Sequence, residues 1–285
     1  MKKLMISMVT GVSMMAAAGQ SDYKVEDREA IHHTFSKDTS LDVDNVNGSI
    51  TVVGDGGNTI RVEGEKIVRA ADQAEVQRAK REVVLDVNEK NGIAQLYVNG
   101  PFRDNNGGHS SEDHGFHEPR DRHYQVTFNF TIHVPRATGL RLHTVNGEVK
   151  AEETSGKFDV KDVNGGITLT NIAGSGTADT VNGPAVVKFR ENPKSDSSFK
   201  TLNGKLEVSF QPSLAADLRL KTLNGKAYTD FEVTAQATPA EPGESRNGKF
   251  VYKSNRFTSM RVGAGGPELK FETLNGDIHI QKQSR

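Results

Sequence analysis

Phe199-Lys-Thr-Leu-Asn-Gly-Lys-Leu206 is one of seven stretches in this chain that share a single frame. In each, a small polar residue precedes Val or Leu and then Asn-Gly, with the asparagines at Asn47, Asn146, Asn164, Asn182, Asn203, Asn224 and Asn275. Four before each Asn the chain is apolar: Val43, Leu142, Val160, Ala178, Phe199, Leu220 and Phe271. Two before it stand Asn45, Thr144, Asp162, Thr180, Thr201, Thr222 and Thr273, and two after the Gly come Ile50, Val149, Ile167, Ala185, Leu206, Ala227 and Ile278. Alternation with period two on both sides of a tight turn marks half-buried strands rather than helices. Repetition in a fixed frame marks a fold built by stacking copies of one unit.

Asn and Gly enter the left-handed backbone region cheaply, so Asn-Gly signals a turn. Gly147, Gly156, Gly165, Gly174 and Gly183 fall one every nine residues, and two such steps make an 18-residue unit; the copies at Asn203 and Asn224 are 21 apart. A short strand plus a corner fills each step. The expectation is an all-β, parallel β-solenoid (β-helix) of such repeats, its asparagines piled into a ladder at one corner. The rival is local: Asn-Gly between alternating runs is also a strong hairpin signal, which would give an antiparallel meander. A hairpin gives no reason for a recurring polar residue two positions before the Asn, and stacked copies do.

Helix periodicity is confined to one stretch, and the spacing predicts one short helix near Ala70–Arg81. Asp72 and Glu75 stand early in it and Arg78, Lys80 and Arg81 late, the order a helix dipole favours. The first residues read as a signal peptide over 1–18: Lys2 and Lys3, an uncharged Met-rich run, then Ala16-Ala17-Ala18. An uncleaved anchor is the alternative, but the run falls short of the ~20 apolar residues of a span. A polar leader over 19–38 follows, then an irregular β region with helix and His-rich loop over 39–135, then the repeats over 136–285. The absence of Cys removes disulfides and thiolate sites together. Without Lys2 and Lys3, 34 basic residues face 37 acidic ones, near −3 with His neutral, and no basic stripe points to nucleic acid.

Three groups were candidates for chemistry. His109, His114, His117 and His123, with Glu112, Asp113 and Glu118 among them, could hold Zn²⁺ or Cu²⁺, but their spacing fits no ligand motif and a solvated loop explains them as well. Carboxylate catalysis needs acids from adjacent strands in one outward column. The outward positions one and three after each Gly (Ser49 and Thr51, Glu148 and Lys150, Gly166 and Thr168, Pro184 and Val186, Lys205 and Glu207, Lys226 and Tyr228, Asp277 and His279) mix sign and chemistry. The Gly263-Ala-Gly-Gly266 run lacks the Lys-Ser/Thr of a phosphate loop and reads as a tight corner. The reading assigns no catalytic, cofactor or metal site, and no cofactor.

The closing stretch Arg261–Ile280, the Thr-Val/Leu-Asn-Gly series and Ile132-His-Val-Pro135 resemble the putative adhesin family of exported bacterial β-solenoid proteins, a domain of unknown function. The resemblance implies a β-solenoid in the periplasm or at the cell surface. It implies a non-enzymatic module that binds or scaffolds, with a surface glycan or envelope protein as partner. The alternatives are an enzyme acting on envelope polysaccharide and a periplasmic metal binder using the His-rich loop. No membrane span after signal cleavage is expected, and the oligomeric state is left open.

Overall fold

The computed structural model describes residues 23–35, 40–103, 123–236, 244–246, 249–251 and 257–284. The signal-peptide segment and most of the His-rich loop lie outside them. Two large mixed sheets face each other across one apolar core. The ten-stranded sheet runs, in spatial order, Val25–Phe35, Ile60–Ala70, Tyr124–Pro135, Ile50–Asp55, Val149–Glu152, Ile167–Ile172, Ala185–Phe189, Leu206–Phe210, Ile278–Lys282, Ala227–Thr229. The eleven-stranded sheet runs Val233–Ala235, Thr258–Val262, Ala216–Asn224, Glu268–Asn275, Ser197–Asn203, Gly176–Asn182, Phe158–Asn164, Leu140–Asn146, Ser40–Asp44, Ile93–Asn99, Val84–Lys90.

This architecture corrects the expected parallel β-solenoid. All-β with one short helix holds, but antiparallel strands are woven into both sheets. Ile60–Ala70 pairs antiparallel with Val25–Phe35 on one side and Tyr124–Pro135 on the other. Val84–Lys90 with Ile93–Asn99, and Thr258–Val262 with Ala216–Asn224, are antiparallel too. The copies are also not stacked in sequence order. Glu268–Asn275 is inserted between Ser197–Asn203 and Ala216–Asn224, and Ile278–Lys282 between Leu206–Phe210 and Ala227–Thr229. The physical reason is that the frame fixes a corner and a register. It says nothing of which strands close the ends, or which copy takes which rung.

Where copies meet, they pair parallel and in register, so the Asn-Gly corners are not hairpin tips. Asn164 sits between Asn146 and Asn182, and Phe158↔Gly176 and Phe158↔Leu140 begin the same ladders. In the order Asn47, Asn146, Asn164, Asn182, Asn203, Asn275, Asn224, each amide from Asn146 onward donates to the side-chain oxygen of the one before it at 2.6–3.0 Å. The polar residue two before the Asn turns inward. Thr201 Oγ1 donates to the Gly183 carbonyl at 2.9 Å and Thr222 Oγ1 to that of Gly276 at 3.1 Å, while Asn45 Nδ2 reaches Gly48 and Phe128 carbonyls. Part-buried carbonyls at these corners thereby gain a donor.

The glycines answer to close packing as well as to turn chemistry: Gly48, Gly147, Gly183 and Gly276 hold positive φ, from 114° to 157°. At Gly204 a Cβ would stand closer than 3.0 Å to the Gly183 carbonyl, and at Gly276 to the Gly204 carbonyl; Gly204 itself has no left-handed φ. Stacked backbones approach too closely for any side chain. The asparagines, by contrast, are exposed, so an orphaned amide finds water. Asn203→Ala is therefore expected to cost only about 0.5–1.5 kcal/mol, read from denaturant midpoints.

Between the sheets the core carries a run of phenylalanines. Phe189 and Phe210 stack at 5.1 Å between centroids and Phe199 and Phe271 at 5.3 Å, with Phe189–Phe199 and Phe210–Phe271 edge-on. The helix spans Gln73–Glu82; Asp72 caps it by accepting the Glu75 N–H at 2.9 Å, with Lys80 and Arg81 in its last turn. It buries Val76 and Ala79 against the antiparallel end.

Candidate binding face

The strands leading into the Asn-Gly corners present three outward rows on the eleven-stranded sheet. The first holds Asp42, Arg141, Asp159, Thr177, Ser198, Lys270 and Arg219 side by side. The second holds Asp44, His143, Lys161, Asp179, Lys200, Glu272 and Lys221. The third is apolar: the Val or Leu just before each Asn. Val46 and Val145 are 3% and 8% exposed, whereas Val181, Leu202 and Leu274 reach 36–37% and Leu223 60%, so the open ridge covers four rungs. It runs beside the Asn ladder at the strand spacing of about 4.8 Å. The signal for this ridge was present in the frame, which keeps an aliphatic residue at a position whose alternation faces it away from the core.

Charge along these rows is paired at the two ends. Arg103 binds Asp44 at 2.8 Å beside His143, and these hydrogen bonds outweigh burial to hold the Asp44 carboxyl below the usual range. Lys221 pairs with Glu272 at 3.0 Å. Arg219, Lys221 and Lys270 surround the Phe257 ring, 4.8–5.3 Å from its centroid. On the other sheet, Thr51, Lys150, Thr168, Val186, Glu207, His279 and Tyr228 share a row in which His279 comes between Glu207 and Tyr228; Tyr228 stacks on His279 at 4.8 Å.

Asp162 takes the place of Thr in the inward row and is 2% exposed. Burial pushes its carboxyl up to about 6, against the N–H groups of Val163 and Asn164 and the Thr180 hydroxyl that favour the charge. Its Oδ1 has no hydrogen-bond partner among the described residues. An ionised carboxylate cannot donate as Thr does in the other copies. A group with a raised folded pKa gives its full contribution below the unfolded value near 3.8, and loses it as pH rises through 6. Asp162→Asn, the amide that serves at Asn45, is thus expected to raise stability by about 1–3 kcal/mol at pH 7.5 and by almost nothing near pH 4. Urea unfolding at the two pH values reads this; a gain equal at both would place the effect elsewhere. Nothing in this buried setting presents Asp162 to a substrate, which fits a turn-capping group.

His109, His114 and His117, with Glu112, Asp113 and Glu118, lie outside the described residues, and His123 is exposed at the mouth of the Tyr124 strand. Among the described residues no three His, Asp or Glu side chains gather as for a metal ion. The Gly263–Gly266 run forms a turn, with the Gly265 N–H on the Val262 carbonyl at 3.1 Å, ahead of Glu268–Asn275.

No known family's sequence profile matches the chain, and no curated protein does. Solved structures give slight likenesses. A putative cell adhesion protein from Clostridium sporogenes is 11% identical, covering 90% of this chain and 100% of its own, with a TM-score of 0.42. A putative adhesin from Bacteroides fragilis is 9% identical over 90% and 97%, with a TM-score of 0.27. A putative lipid binding protein from Parabacteroides distasonis is 9% identical over 91% and 97%, at 0.23. Likeness this slight carries no argument about fold or task.

Proposed function

We propose that the chain is a non-enzymatic, exported protein of the bacterial envelope or surface that binds an extended partner, a surface glycan or envelope protein. The carrying observation is the open aliphatic ridge of Val181, Leu202, Leu274 and Leu223 beside the Asn ladder. Such a strip pairs apolar contact with amide groups that keep one N–H free for a partner, repeated at every rung. The mixed outward rows support binding over catalysis, since no column of acids or bases is assembled. Export rests on the leader over 1–18. No helix among the described residues is long and apolar enough to cross a membrane.

Cell-surface and glycan arrays probed with the mature chain and with L202S/L274S test this reading. Binding that falls in the double variant, with the melting temperature kept, supports the ridge. Product release from acidic glycans or peptidoglycan, lost on changing one surface acid, overturns the non-enzymatic reading.

A further inference from the structure

The outer face of the eleven-stranded sheet also holds an open trough of about 660 Å³ near the starts of the strands, sharing with the ridge the strand Gly176–Asn182 alone. It crosses Ser40–Asp44, Leu140–Asn146, Phe158–Asn164 and Gly176–Asn182, which lie side by side. Three strand spacings make it about 14 Å long. Its charged groups stand at two depths. Arg141, Lys157 and Lys161 are exposed, and none forms an ion pair among the described residues. Asp42, Asp159 and Asp179 sit lower and half-buried, with Thr177 Oγ1 donating to Asp159 Oδ1 at 2.7 Å. Burial pushes the Asp42 and Asp179 carboxyls above their ordinary range.

Elsewhere on the face Arg103–Asp44 and Lys221–Glu272 close into pairs. In the trough opposite charges alternate along the sheet without closing on one another. A bare anion would meet the cations but gain nothing from the acceptors below. A neutral polymer would use the acceptors and leave three cations idle. A chain rich in hydroxyls that also carries carboxylates satisfies both levels.

We propose that the trough binds an acidic saccharide, a run of a few hexuronate units. Its carboxylates lie on Arg141, Lys157 and Lys161, and its ring hydroxyls donate to Asp42 and Asp159. The proposal rests on the reading of this chain as a binding module, but it uses a site separate from the ridge. The probe is oligogalacturonate, with its methyl ester as the neutral control, titrated calorimetrically into the full mature chain at low ionic strength. The parent should bind the acid form at least tenfold more tightly than the ester. R141A/K161A should lose at least tenfold and D159N several-fold, with melting temperatures unchanged. K205A/K226A, which removes equal charge elsewhere, should bind as the parent does. Absence of binding, equal affinity for the ester, or an equal loss in K205A/K226A overturns the trough site. Cell binding that stays sensitive to L202S/L274S in that case leaves the module reading standing, so the two failures are distinguishable.

Discussion

Gly204→Ala should destabilise the protein by about 3 kcal/mol or more, nearly as much as Gly204→Val, because the first carbon added is the one that collides. The Gly183 carbonyl occupies the space a Cβ would need, and Gly204 occupies the corresponding space above the next rung, so neither neighbour has slack. Gly204→Asn separates two causes. Asn tolerates left-handed backbone, so it would rescue a conformational defect, but it carries a Cβ and should fail here equally. Gly56→Ala, where a Cβ would meet nothing within 4 Å, is the control and should be near neutral. Denaturant midpoints for the four variants decide; a stable Gly204→Asn would show that the corner needs a backbone conformation rather than space.

Phe271→Ala should cost about 3–5 kcal/mol and should loosen strands well away from it in sequence. Phe271 is fully buried, stacked on Phe199 and edge-on to Phe210. It lies in the inserted strand Glu268–Asn275, which is the parallel neighbour of Ala216–Asn224. The other neighbour of Ala216–Asn224 is Thr258–Val262, and Ala227–Thr229 pairs, among the described residues, with Ile278–Lys282 alone. The stretch from Ala216 to Thr229 therefore depends on residues at the chain's far end to gain its place in either sheet. Hydrogen exchange on the variant should show protection falling across 216–229 as well as 268–282, with the Asn146 and Asn164 rungs retained. Loss confined to 268–282 would mean the last copy is held by other contacts.

Much of this was legible locally. The period-two alternation located the strands, the recurring Asn gave the amide ladder, and Asp72 with its charge gradient placed the helix within a few residues. The parallel solenoid expectation failed on matters that no short window encodes. Ile60–Ala70 alternates as well as any repeat strand, yet it runs antiparallel against Tyr124–Pro135. Nothing in Thr273-Leu-Asn-Gly276 distinguishes it from Thr222-Leu-Asn-Gly225, although it takes the inner rung and the earlier copy takes the outer one. Outside those four residues the copies differ: Phe271, Ile278 and Ile280 stand where the other has Leu220, Ala227 and Thr229, and the copy with the larger apolar residues is the one buried on the inner rung. Part of the glycine requirement was legible, since Gly48, Gly147, Gly183 and Gly276 hold positive φ, but the close approach between backbones is invisible until the copies are stacked. The candidate faces arise the same way. Arg141, Lys157 and Asp159 look like ordinary surface charges in sequence, and only the register sets them in one trough.

The central claim is that copies stack in register with the last one inserted between two earlier ones, and introduced cysteines test it directly in a chain that has none of its own. Adjacent rungs bring equivalent Cα atoms within the 4.4–6.8 Å that a disulfide spans, and rungs separated by a third strand lie about 9–10 Å apart. Mild oxidation of N203C/N275C and of N224C/N275C should give an intramolecular disulfide in each, while N203C/N224C should stay reduced. A disulfide in N203C/N224C, with none in the other two, would return the copies to sequence order and contradict the account.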